Sequence, residues 1–262
     1  MEEDRNSYDP VYFQALYESE ERHFWFRARN LIIQNAIRDL IKTLPDGFKA
    51  VEIGCGPGNV LSSIEKLCKR GHLIGLDLHY QGLMLARKRV NVDLVVGDIS
   101  KPPFSSEMSI IGLFDVIEHL DNDGQILEDV ARTLVNDGWL LITVPALPAL
   151  WSYFDTAAHH VRRYTKKSLA NLLTRSGFKI EFLSYTTMLT LPIVWVVRLL
   201  SRASHKGSTP ENKRDSRVIQ QLKIIPVINE IFFDLLWLEA QIIKYRLPLP
   251  MGSSLIAIAR KK

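Results

Sequence analysis

The sequence is poor in cysteine and has no long apolar run. Its two cysteines, Cys55 and Cys68, are too few for a disulfide framework or for a structural zinc site built from cysteine. The N-terminus lacks the basic start and apolar stretch of a signal peptide. The longest uncharged run, residues 182–197, is 16 residues long and includes Pro192, whereas a membrane-spanning helix needs about 20 residues. We therefore expect a protein of the cytoplasm that does not cross a membrane.

Internal repeats and nucleic-acid-binding modules are also absent. No segment recurs at the periods typical of solenoids. The basic runs are not interleaved with stacking aromatic residues, so we expect no nucleic-acid partner. Hydrophobic residues make up 47% of the chain and charged residues 24%, a composition that is typical of a globular protein with a large core.

Charge is distributed unevenly along the chain. Residues 1–150 hold 15 Lys and Arg against 22 Asp and Glu, a balance of −7, whereas residues 151–262 hold 18 against 7, a balance of +11. One interpretation is a solvated basic surface. The other is that the C-terminal part meets an anionic partner, such as a phosphate-bearing substrate, a lipid surface or a nucleic acid.

Short apolar runs alternate with amphipathic stretches between residues 48 and 146. Such alternation predicts strands linked by helices, and hence a parallel sheet with right-handed crossovers. The predicted strands are 49–53, 73–78, 92–96, 109–113 and 139–144, and the predicted helices are 58–69, 81–89 and 121–134.

The segments outside this core predict three further units. Residues 9–43 have the pattern of two helices separated near 20–24, which we interpret as a lid. After the core, the sequence predicts a helix over 165–176 that Gly177 ends, then strands over 179–188 and 253–260. The predicted units are therefore an N-terminal helical lid (1–45), an α/β core (46–190), a helical insertion (191–252) and a last core strand (253–262).

A glycine-rich turn follows the first predicted strand. Gly54, Gly56 and Gly58 form a G-x-G-x-G pattern that an acid, Glu52, precedes. Glycine lets backbone approach a ligand closely, and the helix that follows points free N–H groups at it. The dinucleotide fingerprint needs its third glycine at position 59, where the chain has Asn59. A nicotinamide-dependent oxidoreductase is therefore the less favoured alternative.

Two further acids stand at the ends of the next strands. Asp77 lies 23 residues beyond Gly54, where a carboxylate can accept two hydrogen bonds from a ribose diol. Asp98 follows the third strand, where an adenine amino group could donate to it. Each acid could instead simply cap the helix that follows it.

Together these motifs resemble the class I S-adenosylmethionine-dependent methyltransferases, over about residues 48–180 and the last strand. The resemblance implies an α/β fold with a Rossmann-like, seven-stranded, mostly parallel sheet, helices on both faces, and S-adenosyl-L-methionine as cofactor. It implies that Asp77 binds ribose, that Asp98 and Ile99 bind adenine, and that Leu78 also contacts the cofactor. The residues implied at the methionine end are Glu52, Gly54, Cys55, Gly56, Gly58, Leu113 and Phe114.

The segment Asp115–Leu120 resembles the D-x-x-E-H segment of relatives that act on small molecules, including those of quinone and biotin biosynthesis. The fourth strand departs from the family pattern, because Met108-Ser109 stands where Phe-Asp is usual. Some relatives with E-x-x-E-H bind a divalent metal there, with a later histidine as partner. We favour the alternative that Asp115 and Glu118 form a capping box with His119 buried beside it, and we expect no metal.

The segment Trp151–Tyr164 should lie over the methyl end of the cofactor. It resembles a segment of uncharacterised methyltransferases found near glycan and lipid pathways. Histidine is the natural general base for a hydroxyl or ammonium nucleophile, so we assign that role to His160, with His159 and Asp115 as alternates. Arg162 and Arg163 could hold a phosphate or carboxylate. The predicted acceptor contacts are Trp25, His119, Trp151, Asp155, Arg163 and Tyr164. Alternatively, this loop is structural, with Asp155 paired to an arginine and both histidines exposed.

Residues 23–30 resemble a segment of the same uncharacterised group that should close over the cofactor. On that resemblance Arg29 could reach the cofactor's carboxylate. Neighbouring aromatic residues more often serve packing, and we expect that of Phe24 and Phe26.

The insertion carries an unusual amount of apolar surface. In residues 227–245 one helical stripe is apolar, and residues 191–200 add a second apolar face. Such a stripe usually packs on its own domain; with the basic residues nearby it could instead form a tunnel for a long apolar molecule or a dock on anionic lipid. The stripe comprises Ile228, Ile231, Phe232, Leu235, Leu238 and Ile242.

These patterns predict a methyltransferase that acts on an oxygen or nitrogen of a small-molecule or lipid-linked acceptor. Its expected partners are that acceptor and, peripherally, a membrane. Besides the oxidoreductase, the remaining alternative is a non-catalytic module of the same fold that binds a membrane or a protein.

Overall fold

A computed structural model describes residues 12–203 and 223–262, and its centre is one seven-stranded sheet. The strand order is β3-β2-β1-β4-β5-β7-β6. Strands β1 to β5 pair in parallel, whereas β7 runs antiparallel to both β5 and β6. The strands are β1 (Lys49–Ile53), β2 (His72–Asp77), β3 (Asp93–Val96), β4 (Met108–Phe114), β5 (Leu134–Pro145), β6 (Phe178–Thr186) and β7 (Ser254–Lys261).

Nine helices are described around this sheet, together with short 3₁₀ turns at Ile41–Thr43, Ile117–His119 and Pro148–Leu150. None of the described helices is long and apolar enough to span a bilayer. The helices are α1 (Tyr12–Ser19), α2 (Phe24–Leu40), α3 (Asn59–Ile64), α4 (Tyr80–Ala86), α5 (Asp123–Thr133), α6 (Tyr153–Ala157), α7 (Lys166–Arg175), α8 (Leu191–Ala203) and α9 (Pro226–Lys244).

The strands are buried on both faces, because successive side chains of a strand point to opposite sides of the sheet. On β4, Ile110 packs with the side chains of α2, α3 and α9, and the next residue, Ile111, packs with those of α5 and α7. Leu141 and Leu140 repeat this division on β5. The predicted α/β fold with helices on both faces is confirmed.

Several predicted boundaries are wrong by a few residues. Helix α3 ends at Ile64 rather than at residue 69, because the chain tightens there into turns that bring it to Gly71. Strand β5 begins at Leu134, five residues before the predicted start, because Leu134 already pairs with Met108 of β4. An irregularity that contains Asp137, with a left-handed φ of 62°, follows before Trp139 pairs with Ile110. Strand β6 ends at Thr186, because Thr187 takes a φ of 61°.

Helix α9 exposes much of its predicted apolar stripe, whereas such a stripe usually packs on its own domain. The buried positions of α9 include Asn229, Leu236 and Ile243, and α9 packs on α2 through this side. Much of the predicted stripe, including Ile231 and Leu238, is exposed instead. Residues 204–222, the polar and basic part of the insertion, lie outside the described residues.

We expect Leu141→Ala to lower the free energy of unfolding by about 2–5 kcal/mol, because it opens a cavity in the layer between α2, α9 and the sheet. Urea denaturation measures this change. The matched control is Met84→Ala on α4, where the side chain is exposed and the change should stay within about 0.5 kcal/mol. Equal stability of the two variants would contradict this account of the core.

Candidate active site

A cavity of about 370 Å³ lies at the carboxyl ends of β1, β2, β3 and β4. Ligands bind at this edge of open α/β sheets, and the volume is in the usual range for small-molecule sites. Most of the predicted site residues meet here. Those lining the cavity are Trp25, Arg29, Glu52, Gly54, Cys55, Gly56, Asp77, Leu78, Asp98, Ile99, Phe114, Asp115, His119 and His160.

The glycine turn forms the floor of the cavity. Gly54 has a φ of 75°, and a Cβ atom there would lie 2.6 Å from Cγ2 of Val116. Gly58 has a φ of 78° and is the N-cap of α3, where a Cβ atom would lie 2.8 Å from Cβ of Ala86. Only glycine adopts these angles without strain and fits these contacts. Gly58 does not line the cavity, so its role is to let α3 and α4 pack closely.

Glu52 presents an unsatisfied carboxylate oxygen to the site. Its side chain is buried, and Oε2 has no hydrogen-bond partner among the described residues. Burial raises the pKa of Glu52 well above its usual range, although the charge of Arg29 opposes that rise. A buried acceptor without a donor is costly, so a ligand that supplies an ammonium or hydroxyl donor fits this position.

Asp77 holds the turn in place as well as facing the cavity. Its Oδ2 accepts a hydrogen bond from the Gly56 amide at 2.7 Å, and its Oδ1 accepts one from the His79 amide at 2.7 Å. Burial raises the pKa of Asp77, and these two amide donors lower it again in part. Each oxygen of a carboxylate has two lone pairs, so Asp77 can brace the backbone and still accept from a ligand.

Asp98 combines the same two features at the next strand end. Its Oδ1 accepts a hydrogen bond from the Ser100 amide at 2.8 Å, and the residue lines the cavity. The helix cap that the sequence offered as an alternative is not formed, because no helix is described between β3 and β4. The bond to Ser100 makes a local turn instead, which does not exclude a role toward a ligand.

Helices α1 and α2 cover the cavity from above. Phe13 and Leu16 of α1 line it, as do Trp25 and Phe26 of α2. A buried ion pair secures this cover, because Arg89 Nη1 contacts Glu20 Oε2 at 2.8 Å and also donates to the carbonyl of Pro57 in the glycine turn at 3.2 Å.

Arg29 pairs with a carboxylate of the protein, whereas the resemblance implied that it reaches the carboxylate of the cofactor. Its Nη1 contacts Asp115 Oδ2 at 2.7 Å, and its guanidinium stacks over the ring of Trp25 with 4.9 Å to the centroid. The Nε atom is buried without a hydrogen-bond partner in the described part of the chain, so it can still donate to a carboxylate. Asp115 itself has a left-handed φ of 58°, a strain that is often found at functional sites.

Glu118, His119 and His160 form a compact cluster beside Asp115. Nε2 of His160 lies 3.9 Å from Oε1 of Glu118, and the two imidazole rings are 4.9 Å apart. Glu118 is fully buried, and burial together with the charge of Asp115 raises its pKa well above the usual value. Burial and His160 lower the pKa of His119 to about 3. One potential ligand atom from each residue lies within 4.8 Å of the others, so the cluster could hold a divalent cation.

The predicted capping box at Asp115 and Glu118 is wrong. Because Asp115 is left-handed, it cannot start a helix; the 3₁₀ turn Ile117–His119 has Val116 as its N-cap, with no side-chain cap bond. A capping box does occur in the next loop, where Ser152 and Asp155 cap α6.

Asp155 organises the loop after β5. Its Oδ1 accepts from Nε of Arg163 at 2.6 Å and lies 3.2 Å from Nδ1 of His160. Its Oδ2 accepts from the Ser152 amide at 2.9 Å and lies 3.3 Å from Nη1 of Arg198. Burial opposes ionisation of Asp155, but the hydrogen bond with His160 and the charges of both arginines outweigh it and lower the pKa to about 2. This loop therefore combines the two interpretations, because Asp155 pairs with an arginine while His160 faces the cavity.

Seven predicted site residues do not line the cavity: Gly58, Leu113, Trp151, Asp155, His159, Arg163 and Tyr164. Leu113 is fully buried against α5, since on β4 only the next residue, Phe114, points to the cavity. The Tyr164 ring is buried, and its hydroxyl donates to Asp123 Oδ2 at 2.7 Å. His159 is exposed with a φ of 56°.

The part of the cavity that α1 provides has almost no signal in the sequence. Phe13 and Leu16 are three residues apart, which is the only sign of a shared helical face. Phe26, which we expected to serve packing alone, lines the cavity as well as packing. His79 also lines it, with its ring 5.6 Å from that of Phe13. No motif marks Phe13, Leu16 and Phe26, because any apolar side chain of similar size would cover the site.

Residues 21–182 match the family model of the methyltransferase domain. The chain belongs to this family. The resemblance to class I S-adenosylmethionine-dependent methyltransferases, and with it the class of cofactor, is thereby confirmed. The match begins within the lid and ends on β6, so it includes every residue of the cavity except those of α1 and Glu20.

Two curated proteins support the assignment, and one solved structure shares the fold. A Mycolicibacterium smegmatis protein named "Probable S-adenosylmethionine-dependent methyltransferase" is 27% identical over 165 residues, 62% of each chain. A trans-aconitate 2-methyltransferase of Azoarcus is 26% identical over 133 residues, 50% of each chain. A Haemonchus contortus phosphoethanolamine N-methyltransferase, solved with S-adenosyl-L-methionine, has a TM-score of 0.61 at 17% identity and covers 98% of this chain and 58% of its own. The chain thus spans about half to three fifths of the length of these curated relatives.

We expect Asp77→Ala to weaken binding of S-adenosylhomocysteine by about 10- to 100-fold, because charged hydrogen bonds are worth about 1.5–3 kcal/mol and the Gly56 amide loses its brace. Isothermal titration calorimetry measures the affinity. Asp93→Ala, which removes an exposed acid at the start of β3, is the matched control. Unchanged affinity in Asp77→Ala would contradict the placement of the cofactor.

Asp155 should also affect stability against acid. Its folded pKa lies below the unfolded value of about 3.9, so it stabilises the fold above about pH 4 by about 2 kcal/mol, and this stability is lost as the pH falls through about 2. We expect the difference in unfolding free energy between wild type and Asp155→Asn to shrink as the pH is lowered from about 5 toward 2. A difference that stays constant over this range would show that Asp155 is not held ionised by its neighbours.

Proposed function

We propose that this protein transfers the methyl group of S-adenosyl-L-methionine to an oxygen or nitrogen of a small-molecule or lipid-linked acceptor. The observation that supports it most directly is the single cavity edge shared by the cofactor residues and His160. A relative named for trans-aconitate, a small acceptor, is consistent with this class of substrate.

The residues of the cavity fit the cofactor. We assign Glu52 and the Gly54–Gly56 backbone to its methionine part, Asp77 to the ribose and Asp98 with Ile99 to the adenine. The sulfonium group of the bound cofactor supplies an electrophilic methyl group. Arg29, through its buried Nε, and the amides of the turn offer donors for a carboxylate.

His160 is positioned to remove a proton from the acceptor. Asp155 lies next to Nδ1, so the N–H is held on that nitrogen and Nε2 carries the lone pair that accepts the proton. The positive charge that His160 then gains is stabilised by the Asp155 carboxylate, which Arg163 in turn keeps ionised. Asp155 and Arg163 are thus positioning residues and do not contact the acceptor. Asp115 remains the alternate base, although its ion pair with Arg29 occupies one oxygen.

The acceptor enters beside the aromatic side of the lid. Trp25 and His119 line the cavity between Arg29 and His160, so they border the space next to the base. This placement supports their assignment as acceptor contacts. Trp151 and Tyr164 do not line the cavity, and we propose no acceptor contact for them.

We expect His160→Gln to lower methyl transfer by about 10²- to 10⁴-fold, the usual contribution of a general base, while the affinity for S-adenosylhomocysteine changes less than about twofold. Transfer is measured with tritiated S-adenosylmethionine and extracted small molecules and lipids as acceptors. His159→Gln tests the neighbouring imidazole, and a loss in that variant instead would move the base to His159.

The same transfer assay, repeated in the presence of a chelator, distinguishes a general base from a metal ligand. Nε2 of His160 can accept a proton or coordinate a cation, but it cannot do both at once. If His160 is the base, transfer persists after treatment with a chelator. Loss of transfer on chelation, with recovery on addition of Mg²⁺, would instead assign Glu118, His119 and His160 to a metal.

A further inference from the structure

Helix α9 has more apolar surface than its packing uses. One side packs on α2, and the adjoining side bears Val227, Ile228, Ile231, Leu238 and Ile242. Val227 is 72% exposed, Ile231 54% and Leu238 51%. Single exposed apolar residues are common on protein surfaces, but a contiguous set usually marks an interface.

Helix α8 also has more apolar surface than its packing uses. Ile193, Trp195, Val196 and Val197 are all exposed, and Leu191 is the buried residue at its start. The start of α8 is fixed to α9, because the amides of Met188 and Leu189 donate to the Glu239 carboxylate of α9 at 3.1 and 2.6 Å. Two apolar helices are thus anchored at one place on the protein.

Basic residues are concentrated between these two helices in the sequence. Residues 202–223 contain six Lys and Arg against two Asp and Glu. Lys223 is exposed immediately before the apolar residues that open α9, and Lys244 is exposed at its end. Of the acids on α9, Glu239 is buried, Glu230 pairs with Arg27 at 2.7 Å, and Asp234 is exposed. With the six basic residues of 202–223 and with Lys244, the charge of the sequence around this apolar surface is positive on balance.

Both helices connect to the walls of the site. Helix α9 packs on α2, which carries Trp25 and Arg29. On α8, Arg198 donates to Ser152 and lies 3.3 Å from Asp155, the residue that positions His160. A surface that holds α8 and α9 would therefore be coupled to the loop that carries the base.

We infer that the exposed apolar face of α8 and α9, the docking face, binds the surface of a bilayer rich in anionic lipid. Apolar side chains enter the boundary between headgroups and acyl chains, and the exposed Lys223 and Lys244 meet the lipid phosphates. This inference rests on the proposed function in one respect, since docking would bring a lipid-linked acceptor to His160. The docking itself does not depend on catalysis.

Vesicle flotation with the full-length protein tests the docking. We expect the protein to float with vesicles of phosphatidylcholine and phosphatidylglycerol, and to float less with phosphatidylcholine alone or at high salt. The double variant Ile231→Asp/Leu238→Asp should lower the bound fraction by about tenfold, because it replaces two inserted apolar side chains with charges. The matched control Tyr80→Asp/Met84→Asp changes two exposed residues of α4 and should float like the wild type.

Other outcomes would overturn the inference. Absence of flotation with either vesicle would do so, as would equal loss in both double variants. Sedimentation that shows a dimer, dissociated by Ile231→Asp/Leu238→Asp, would assign the face to a second copy. Protection of Ile231 and Leu238 amides from hydrogen exchange that vanishes when residues 204–222 are deleted would assign it to that segment.

The folding of each variant and the proposed function are checked separately. Urea denaturation shows whether Ile231→Asp/Leu238→Asp is folded, and the single variant Val196→Asp on α8 repeats the test at an independent position. Calorimetry with S-adenosylhomocysteine reports on the cofactor site. Flotation without cofactor binding would refute the methyltransferase and leave the docking intact, and cofactor binding without flotation would do the reverse.

Discussion

The hydrogen bond between the Gly56 amide and Asp77 fixes the geometry on which the whole cavity depends. It joins the turn after β1 to the end of β2 at 2.7 Å, so two adjacent strand ends keep one spacing. The left-handed glycines on either side give the turn its shape, and Arg89 ties the lid to the same turn through Pro57. The floor and the cover of the cavity therefore both depend on the geometry of this turn, and a change in the turn would disturb both.

A second centre, Asp155, organises the opposite side of the cavity. It is 1% exposed and receives donors from its own helix cap, from Arg163, from Arg198 of α8 and from His160. Removing one partner of such a buried network leaves charges without compensation. The orientation of His160 thus depends on residues that do not line the cavity. The D-x-x-E-H segment lies between the two centres, where Asp115 meets Arg29.

The sequence locates the residues of the first centre but not the contacts of the second, for a physical reason. Gly54, Asp77 and Asp98 lie at strand ends, and the strand–helix period locates strand ends directly. Asp155 and Arg198 are 43 residues apart and meet only through tertiary packing, so no local pattern pairs them. Tyr164 was misassigned because an aromatic residue with a hydroxyl suits a core position or an acceptor site equally. The capping box predicted at Asp115 is wrong because the residue type does not reveal the left-handed backbone that Asp115 adopts.

In α9 the sequence pattern identifies the apolar stripe correctly, but much of the stripe faces outward and not toward the core. More than half of the helix circumference is apolar, and packing on α2 selects an arc that contains Asn229 and Glu239, since both find hydrogen-bond partners there. The fully apolar arc is then left outside. A helix packed for stability alone would bury Ile231 and Leu238 and expose Asn229 and Glu239. The observed arrangement uses polar anchors to hold the helix, and this frees its apolar arc for a partner outside the fold.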